Sequence, residues 1–509
     1  MKRVPWSAAW FLAFAAFTGT GRAVAEEPPA RRAFESGVVG VSVTIQDWDE
    51  DRPWIKGRPQ RRRLAAVVVD GPLLLTSASG LRGATFVQLE RGGEPTPYEP
   101  RVEIVDRDAD LALLRVDDPA FWTGLRPVRL AERTPTEGVL QTVRWTEGQL
   151  ASLDSRVDRF EARGGLRGPG FAYLLVRTDV TGGGWAEPVF QGDRLVGLTV
   201  SQDNQTAYVI PVEVLRGFLD RSRSGGGYRG FPALGVAWQV GEDRSLAAWL
   251  GQTGPRKGIV VRQVPQGSSG CGVLEPLDIL LSIDGRDLDA AGLYQHPRFG
   301  KVLFSHLLVE EHDVGDVVPA RVIRGGKPVD LAIELRPYPT AIQLVPERRA
   351  DPAPAFLVAG GLVFRELDGD YLRSWGAEWS RNAPLGLLGP FLFEQDAQTP
   401  ERRRIVVLAG VLPSAYNVGY HEVGSLVVAK VNGVEVDSIA DVRAAFGAPR
   451  NGLHVVELGQ LDAPRKIVLD AAGFADANDE ILSRYRVPLA YRPAEVELPP
   501  IAGACPGDY

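Results

Sequence analysis

The 509-residue chain is 24% charged and 44% hydrophobic with a net charge of −7, which excludes a mostly disordered chain, a polytopic membrane protein and a whole-chain basic field for nucleic acid. Two cysteines are too few for a disulfide scaffold, and five histidines narrow where acid–base or metal chemistry can sit. At about 150 residues per domain the length fits three domains.

Lys2 and Arg3 precede the apolar run Ala8 to Phe17, and Ala23-Val24-Ala25 supplies a small-x-small cleavage pattern. Residues 1–25 read as a secretory signal peptide whose apolar run is too short to span a bilayer. The expectation is an exported protein, periplasmic or extracellular, with no integral membrane span once the signal is removed. Export also permits a disulfide, for which Cys271 and Cys505 are the candidates.

Residues 34–222 read as mostly strands. Val38 to Ile45, Leu64 to Val69, Leu73 to Thr76, Val102 to Val105, Leu111 to Val116, Tyr173 to Val176, Leu195 to Val200 and Tyr208 to Ile210 are β-rich runs bounded by Gly, Asp or Pro. Short strands with frequent turn signals indicate a barrel or sandwich. A closing helix is expected with Pro211 at its first position and Val214, Leu215 and Phe218 on one face.

The Gly/Ser/Arg run from Arg221 to Gly230 reads as a linker, and prolines and charges between 337 and 354 mark a second break. These breaks bound domains at 231–338 and 354–492, followed by a proline-rich tail at 493–509. Both domains repeat one design, a strand, a tight turn and a short return strand: Ile279 to Leu288 around Asp284-Gly285, and Leu426 to Val436 around Asn432-Gly433. Each lies downstream of a Gly-containing apolar segment, Ala233-Leu234-Gly235-Val236 in one and Gly361-Leu362-Val363-Phe364 in the other.

Other candidate sites are weak. Asp47, Asp49 and Asp51 have calcium-loop spacing, but Arg52 and Arg58 stand where the loop needs Gly and a bidentate Glu, so a solvated loop is expected. Gly182-Gly183-Gly184 lacks the Lys-Ser/Thr of a phosphate cradle. The histidines show no close ligand pair by spacing, with His306 and His312 reading as helix surface or core, so neither a metal nor a cofactor is expected. Most of Trp48, Trp54, Trp122, Trp145 and Trp185 read as core, with Trp48 and Trp54 flanking a polar loop.

The repeated segments resemble PDZ domains, whose Gly-Leu-Gly-Phe-type loop holds a terminal carboxylate while the peptide adds a strand to a sheet edge. Pro276-Leu277-Asp278-Ile279 is similar to the later Gly-Asp turn of that family, with Leu replacing Gly. The resemblance implies peptide contacts at Leu234, Gly235 and Val236, and at Gly361, Leu362, Val363 and Phe364. The first domain then resembles the HtrA/Deg family of exported trypsin-like serine proteases. Leu74-Leu75-Thr76-Ser77-Ala78-Ser79-Gly80-Leu81 is similar to "LTNAHVV", Asp108 to Val116 to "DLALLKV", and Tyr208 to Leu215 to "FAIPSDVV". Arg229 to Gly235 and Ile481 to Pro488 resemble the plant-type Deg branch. The implied fold is mainly β, a trypsin-like double β-barrel followed by two PDZ-like α+β domains, and the family implies trimers.

The resemblance puts the family's catalytic His, Asp and Ser at Ser79, Asp110 and Trp185. Every histidine lies at 296 or beyond, so residues 34–222 contain no imidazole base in any register. That stretch has no cysteine and a single lysine, Lys56, and Asp110 cannot replace the base it would orient. The expected function is an exported pseudoprotease that binds peptides or protein C-termini, and not nucleic acid, in protein quality control or as a scaffold. Two alternatives stay open, an active serine endopeptidase with a non-standard arrangement and a structural or holdase subunit.

Overall fold

Val38–Ile45 is buried along nearly its whole length, as a β-branched run is when both faces are covered. In the computed structural model, which describes residues 34–91, 98–146, 149–164, 169–179, 183, 185–347, 353–459, 466–495 and 498, it is the second strand of a six-stranded sheet. The order is Ala84–Glu90, Val38–Ile45, Gln60–Val69, Leu73–Thr76, Leu111–Arg115 and Arg101–Asp106. Residues 1–25, expected to be a signal peptide, and Gly182, Gly184 and Cys505 lie outside the described residues.

A seven-stranded sheet follows in the order Pro188–Gln191, Val139–Thr146, Gln149–Gly164, Gly170–Thr178, Thr206–Pro211, Arg194–Asp203 and Arg129–Leu130. Pro188–Gln191 pairs back onto Arg194–Asp203, so this sheet closes into a barrel. Side chains alternate across each strand. Leu74 and Leu114 therefore pack in one core with Val41 and Phe121, while Leu75 and Leu113 pack in another with Phe190 and Phe218. The closing helix is Val212–Ser222, with Val214, Leu215 and Phe218 buried as the pattern predicts. Pro211 is its N-cap and still ends the preceding strand.

The third sheet runs Ala237–Val240, Ile259–Gln263, Ile279–Ile283, Val317–Arg324 and Lys327–Glu334. The fourth runs Lys466–Asp470, Leu453–Leu458, Leu426–Val431, Val406–Val411, Leu362–Glu366, Phe356–Ala359 and Tyr491–Arg492. Both tight turns form as the Asp-Gly and Asn-Gly dipeptides predict, with φ of 49° and 69° at Asp284 and Gly285 and 51° and 78° at Asn432 and Gly433. Leu277 sits at φ 73°, a left-handed conformation costly for a Leu. Its neighbour Asp278 is buried and paired to Arg324 at 2.6 Å, which holds the turn closed without the glycine.

Before Glu347 the break at 337–354 carries packed residues. Leu344 and Val345 are fully buried in a cluster with Tyr371, Leu372 and Leu387, because prolines redirect a chain without preventing its apolar residues from packing. The acidic loop after Val38–Ile45 is not simply solvated. Glu50 pairs with Arg365, Trp54 is buried against Phe356 at 5.8 Å, and Arg492 lies 4.5 Å over the Trp48 ring. The chain is thus mainly β, a trypsin-like double barrel followed by PDZ-like α+β domains. No helix among the described residues is long and apolar enough to cross a membrane.

Candidate functional site

Thr76 pairs with Ala112 at the shared end of two strands, so the residues that leave these strands emerge side by side. Asp110, in the left-handed region at φ 54°, turns its carboxylate onto the neighbouring segment. It accepts the Ser79 backbone N–H at 2.5 Å and the Ser77 hydroxyl at 3.0 and 3.1 Å, and Ser77 in turn accepts from the Gly80 N–H. Burial raises the Asp110 carboxyl above its ordinary value, and the hydrogen bonds from Ser79 and Ser77 offset part of that.

Arg62, from the strand paired with Leu73–Thr76, closes this cluster. Its guanidinium donates to the carbonyls of Ser79 and Gly80 at 3.0 and 3.1 Å and lies 4.8 Å over the Trp185 ring. Trp185 is 40% exposed, held on a turn where Ala186 and Glu187 donate to the Thr199 carbonyl and hydroxyl. Beside it, Gly183 N–H donates to Gln202 at 3.0 Å. A Cβ at Gly183 would lie 2.0 Å from the Arg144 guanidinium, which is itself paired with Glu187.

The structure therefore gathers Ser79, Asp110 and Trp185 around Arg62, a residue the sequence pattern did not single out. A guanidinium cannot accept a proton at neutral pH, and the cluster contains no imidazole to activate the exposed Ser79 hydroxyl. The histidines do not supply one among the described contacts. His296 and His306 face Glu310, His312 faces Asp284, His421 meets the Ser414 carbonyl and His454 meets Asn432.

A structural role for Asp110 has a pH signature. Its raised folded pKa means that its contribution is most favourable below the unfolded value near 3.8 and is lost as pH rises through the folded value. Asn tolerates the left-handed backbone and keeps an acceptor for Ser79. Asp110→Asn is therefore expected to melt at or above the wild-type temperature at pH 7 and to lose that advantage near about pH 3, as thermal unfolding at the two pH values would read.

In the first PDZ-like domain, Leu234 and Val236 are buried in the core, which leaves backbone rather than side chains to face a ligand. Gly235 has φ 74°, and a Cβ there would come within 2.8 Å of the Ser268 side chain. The strand that follows, Ala237–Val240, pairs on one side with Ile259–Gln263 and is the outer strand of its sheet. It presents the open edge that strand addition needs. Trp238 is backed by Phe304 at 5.9 Å, on the helix Phe304–Glu311.

The second expected peptide segment does not lie at a sheet edge. Leu362–Glu366 is hydrogen-bonded on both sides, with Phe364 opposite Leu357 in one neighbour and Leu408 in the other. Phe356–Ala359 lies against the helix Ile439–Phe446, so the chain's own strand fills the edge that Gly361, Leu362, Val363 and Phe364 were expected to offer. The Gly360-Gly361 turn, at φ 59° and 86°, folds that strand back.

Spacing also misjudged the histidines. His296 and His306 lie ten residues apart in sequence, yet both approach one oxygen of Glu310, at 3.1 and 3.4 Å. The readable signal was the four-residue interval from His306 to Glu310, one helical turn. Cys271 is disulfide-bonded, and Cys505, the chain's other cysteine, lies outside the described residues.

Comparison with known proteins agrees with this architecture. A PDZ-domain profile matches residues 345–493. Protease Do-like 2, chloroplastic, of Arabidopsis thaliana is 27% identical over 80% of this chain and 67% of its own length. Protease Do-like 4, mitochondrial, of the same plant is 25% identical over 86% of this chain and 81% of its own. Among solved structures, the HtrA-type protease AlgW with decapeptide matches 60% of this chain and 98% of its own at 18% identity and a TM-score of 0.46. With a trypsin-like double barrel, PDZ-like domains behind it and Do-like proteases as relatives across most of its length, the chain is similar to the HtrA/Deg-type serine proteases with PDZ domains.

Proposed function

We propose that this protein is an exported, non-cleaving member of its family that recognises peptides or protein C-termini through the edge strand Ala237–Val240. The observation that carries the reading is the Arg62–Trp185 stack beside Ser79, which stands where the family needs a base and a nucleophile. Ser79 offers no imidazole, Trp185 offers no hydroxyl, and the bulk of the stack lies where a scissile carbonyl would approach. What remains for function is recognition. The Gly235 loop and the open strand behind it have the form that carboxylate capture and β-augmentation require. Export is supported by the signal-peptide pattern at 1–25 and by the disulfide at Cys271.

The test is a binding titration of the full-length protein with peptides ending in apolar residues, as free acids and as carboxamides. Hydrogen bonds to a charged group are worth about 1.5–3 kcal/mol, so amidation is expected to weaken binding by about tenfold or more. Equal affinity for the two forms, or no binding of any free acid, removes the recognition half of the proposal and favours a structural or holdase role.

A further inference from the structure

The hairpin Leu293–His296 and Gly300–Leu303 leads directly into the helix Phe304–Glu311. That connection sets His296, the last residue of its strand, against His306 and Glu310, which share a helix face one turn apart. His296 and His306 are 4% and 2% exposed, and one donor atom from each of the three residues lies within 4.8 Å of the others. Around them, Phe299 stacks on His296 at 4.6 Å and on Phe160 of the second barrel at 3.8 Å. Arg298 pairs with Glu213 at 3.0 Å, so a charged pair between the domains borders the cluster.

We propose that His296, His306 and Glu310 form a binding site for a divalent transition metal, with zinc the ion best suited to two imidazoles and a carboxylate. The first support is geometric. Donors about 2.0–2.1 Å from a tetrahedral ion lie about 3.3–3.4 Å from one another. The His296 and His306 Nε2 atoms stand 3.1 and 3.4 Å from Glu310 Oε2, already at that spacing.

The second support is independent of spacing. Neither ring nitrogen of His306 makes a hydrogen bond among the described residues, although the side chain is buried. Tyr294, whose ring lies 6.0 Å from that of His296, likewise has a buried hydroxyl without a partner. Buried polar groups are almost always satisfied. Two unsatisfied groups beside one carboxylate mark a place built to meet something other than the chain itself.

His296 sets the cost of binding. Its Nδ1 accepts the backbone N–H groups of Arg298 and Phe299, each at 3.1 Å, which puts the proton on Nε2 in the metal-free state. A neutral imidazole that ligates through Nε2 carries its proton on Nδ1, so that nitrogen becomes a donor and the turn 296–299 must give up both contacts. Two hydrogen bonds to a neutral ring are weak beside the coordination of a structural zinc, so this cost lowers affinity and makes it pH-dependent without abolishing it. A bound ion would tie the hairpin to the helix that backs Trp238, and would leave a fourth coordination position for water.

The experiment uses untagged full-length protein, loaded with zinc chloride, freed of loosely held ion and assayed for metal by mass spectrometry, with melting followed with and without zinc. One zinc per chain is expected for the wild type, with a zinc-dependent rise in melting temperature. Substitution of a ligand, by His306→Leu or Glu310→Gln, is expected to weaken zinc binding by more than the tenfold to hundredfold, roughly, that loss of a second-shell partner costs. His306→Leu removes an unsatisfied buried group and so is expected to stay folded without metal. Zinc retained equally by wild type and both variants, or by none, overturns the proposal. His421→Ala, far from the cluster in sequence, is expected to bind as wild type does.

Discussion

A fluorophosphonate probe is expected to leave the wild-type protein unlabelled and to label the double variant Ser79→His with Trp185→Ser. The reason for changing both residues together is the cooperativity of the triad. Removing one member costs about as much as removing all, about 10⁶-fold in rate, so either single variant is expected to remain silent. The geometry favours a partial return. Asp110 already accepts the backbone N–H of residue 79, so an imidazole on that residue would stand beside the carboxylate that must orient it. Loss of Trp185 also removes the ring on which Arg62 stacks and opens the approach to residue 185. Two features oppose a full return. The Ser77 hydroxyl holds both Asp110 oxygens, and Arg62 still donates to the carbonyls of 79 and 80. A misplacement of about 1 Å costs about 10²-fold, so a labelling rate some 10⁴-fold over wild type is the expected scale. Labelling of the wild type, abolished by Ser79→Ala, would show an active peptidase and end the non-cleaving reading.

What the sequence disclosed followed from local rules. Runs such as Val38–Ile45 and Leu73–Thr76 were legible because β-branched and aliphatic residues crowd between turn residues, and Asp284-Gly285 and Asn432-Gly433 because few dipeptides adopt two positive φ values in succession. Gln149–Gly164 escaped notice. This sixteen-residue strand carries Asp154, Arg156, Asp158, Arg159 and Glu161, and its charges hide the alternation that marks a half-buried strand. The candidate catalytic positions were legible from motif register, since Ser79 and Asp110 flank strands that must pair. Arg62 was not, because which side chain crosses from one strand to cover a neighbour's loop depends on tertiary placement. The inner position of the strand Leu362–Glu366 was hidden for a related reason. The Gly-containing segment at 361–364 has the expected pattern, but pattern cannot reveal that Phe356–Ala359 folds back onto it.

Arg365→Ala is expected to detach the last domain from the first barrel. Arg365 is a fully buried side chain, 1% exposed, on a strand of the last sheet. Its guanidinium donates to the Glu50 backbone carbonyl at 2.8 Å and to the Glu50 carboxylate, reaches Asp368 at 3.3 Å and lies 4.3 Å over the Tyr371 ring. Truncation leaves the Glu50 and Asp368 carboxylates facing a buried gap, and removing one partner of a buried ion pair costs about 3–5 kcal/mol. Lys is not expected to rescue the loss, since it can neither fork between two acids nor stack as a plane. Because Glu50 belongs to the acidic loop of the first barrel, the cost falls on the contact between domains. The Trp54–Phe356 and Arg492–Pro53 contacts at the same seam are expected to weaken with it. The readouts are faster proteolysis within residues 47–58 and a larger radius of gyration in solution scattering, with the individual domains still folded. The double variant Arg365→Met with Glu50→Gln is expected to recover part of the loss, because an unpaired buried charge costs more than a neutral amide at the same place. Wild-type proteolysis and scattering for Arg365→Ala would show instead that the apolar contacts of Trp54 and Phe356 hold the seam without the ion pair.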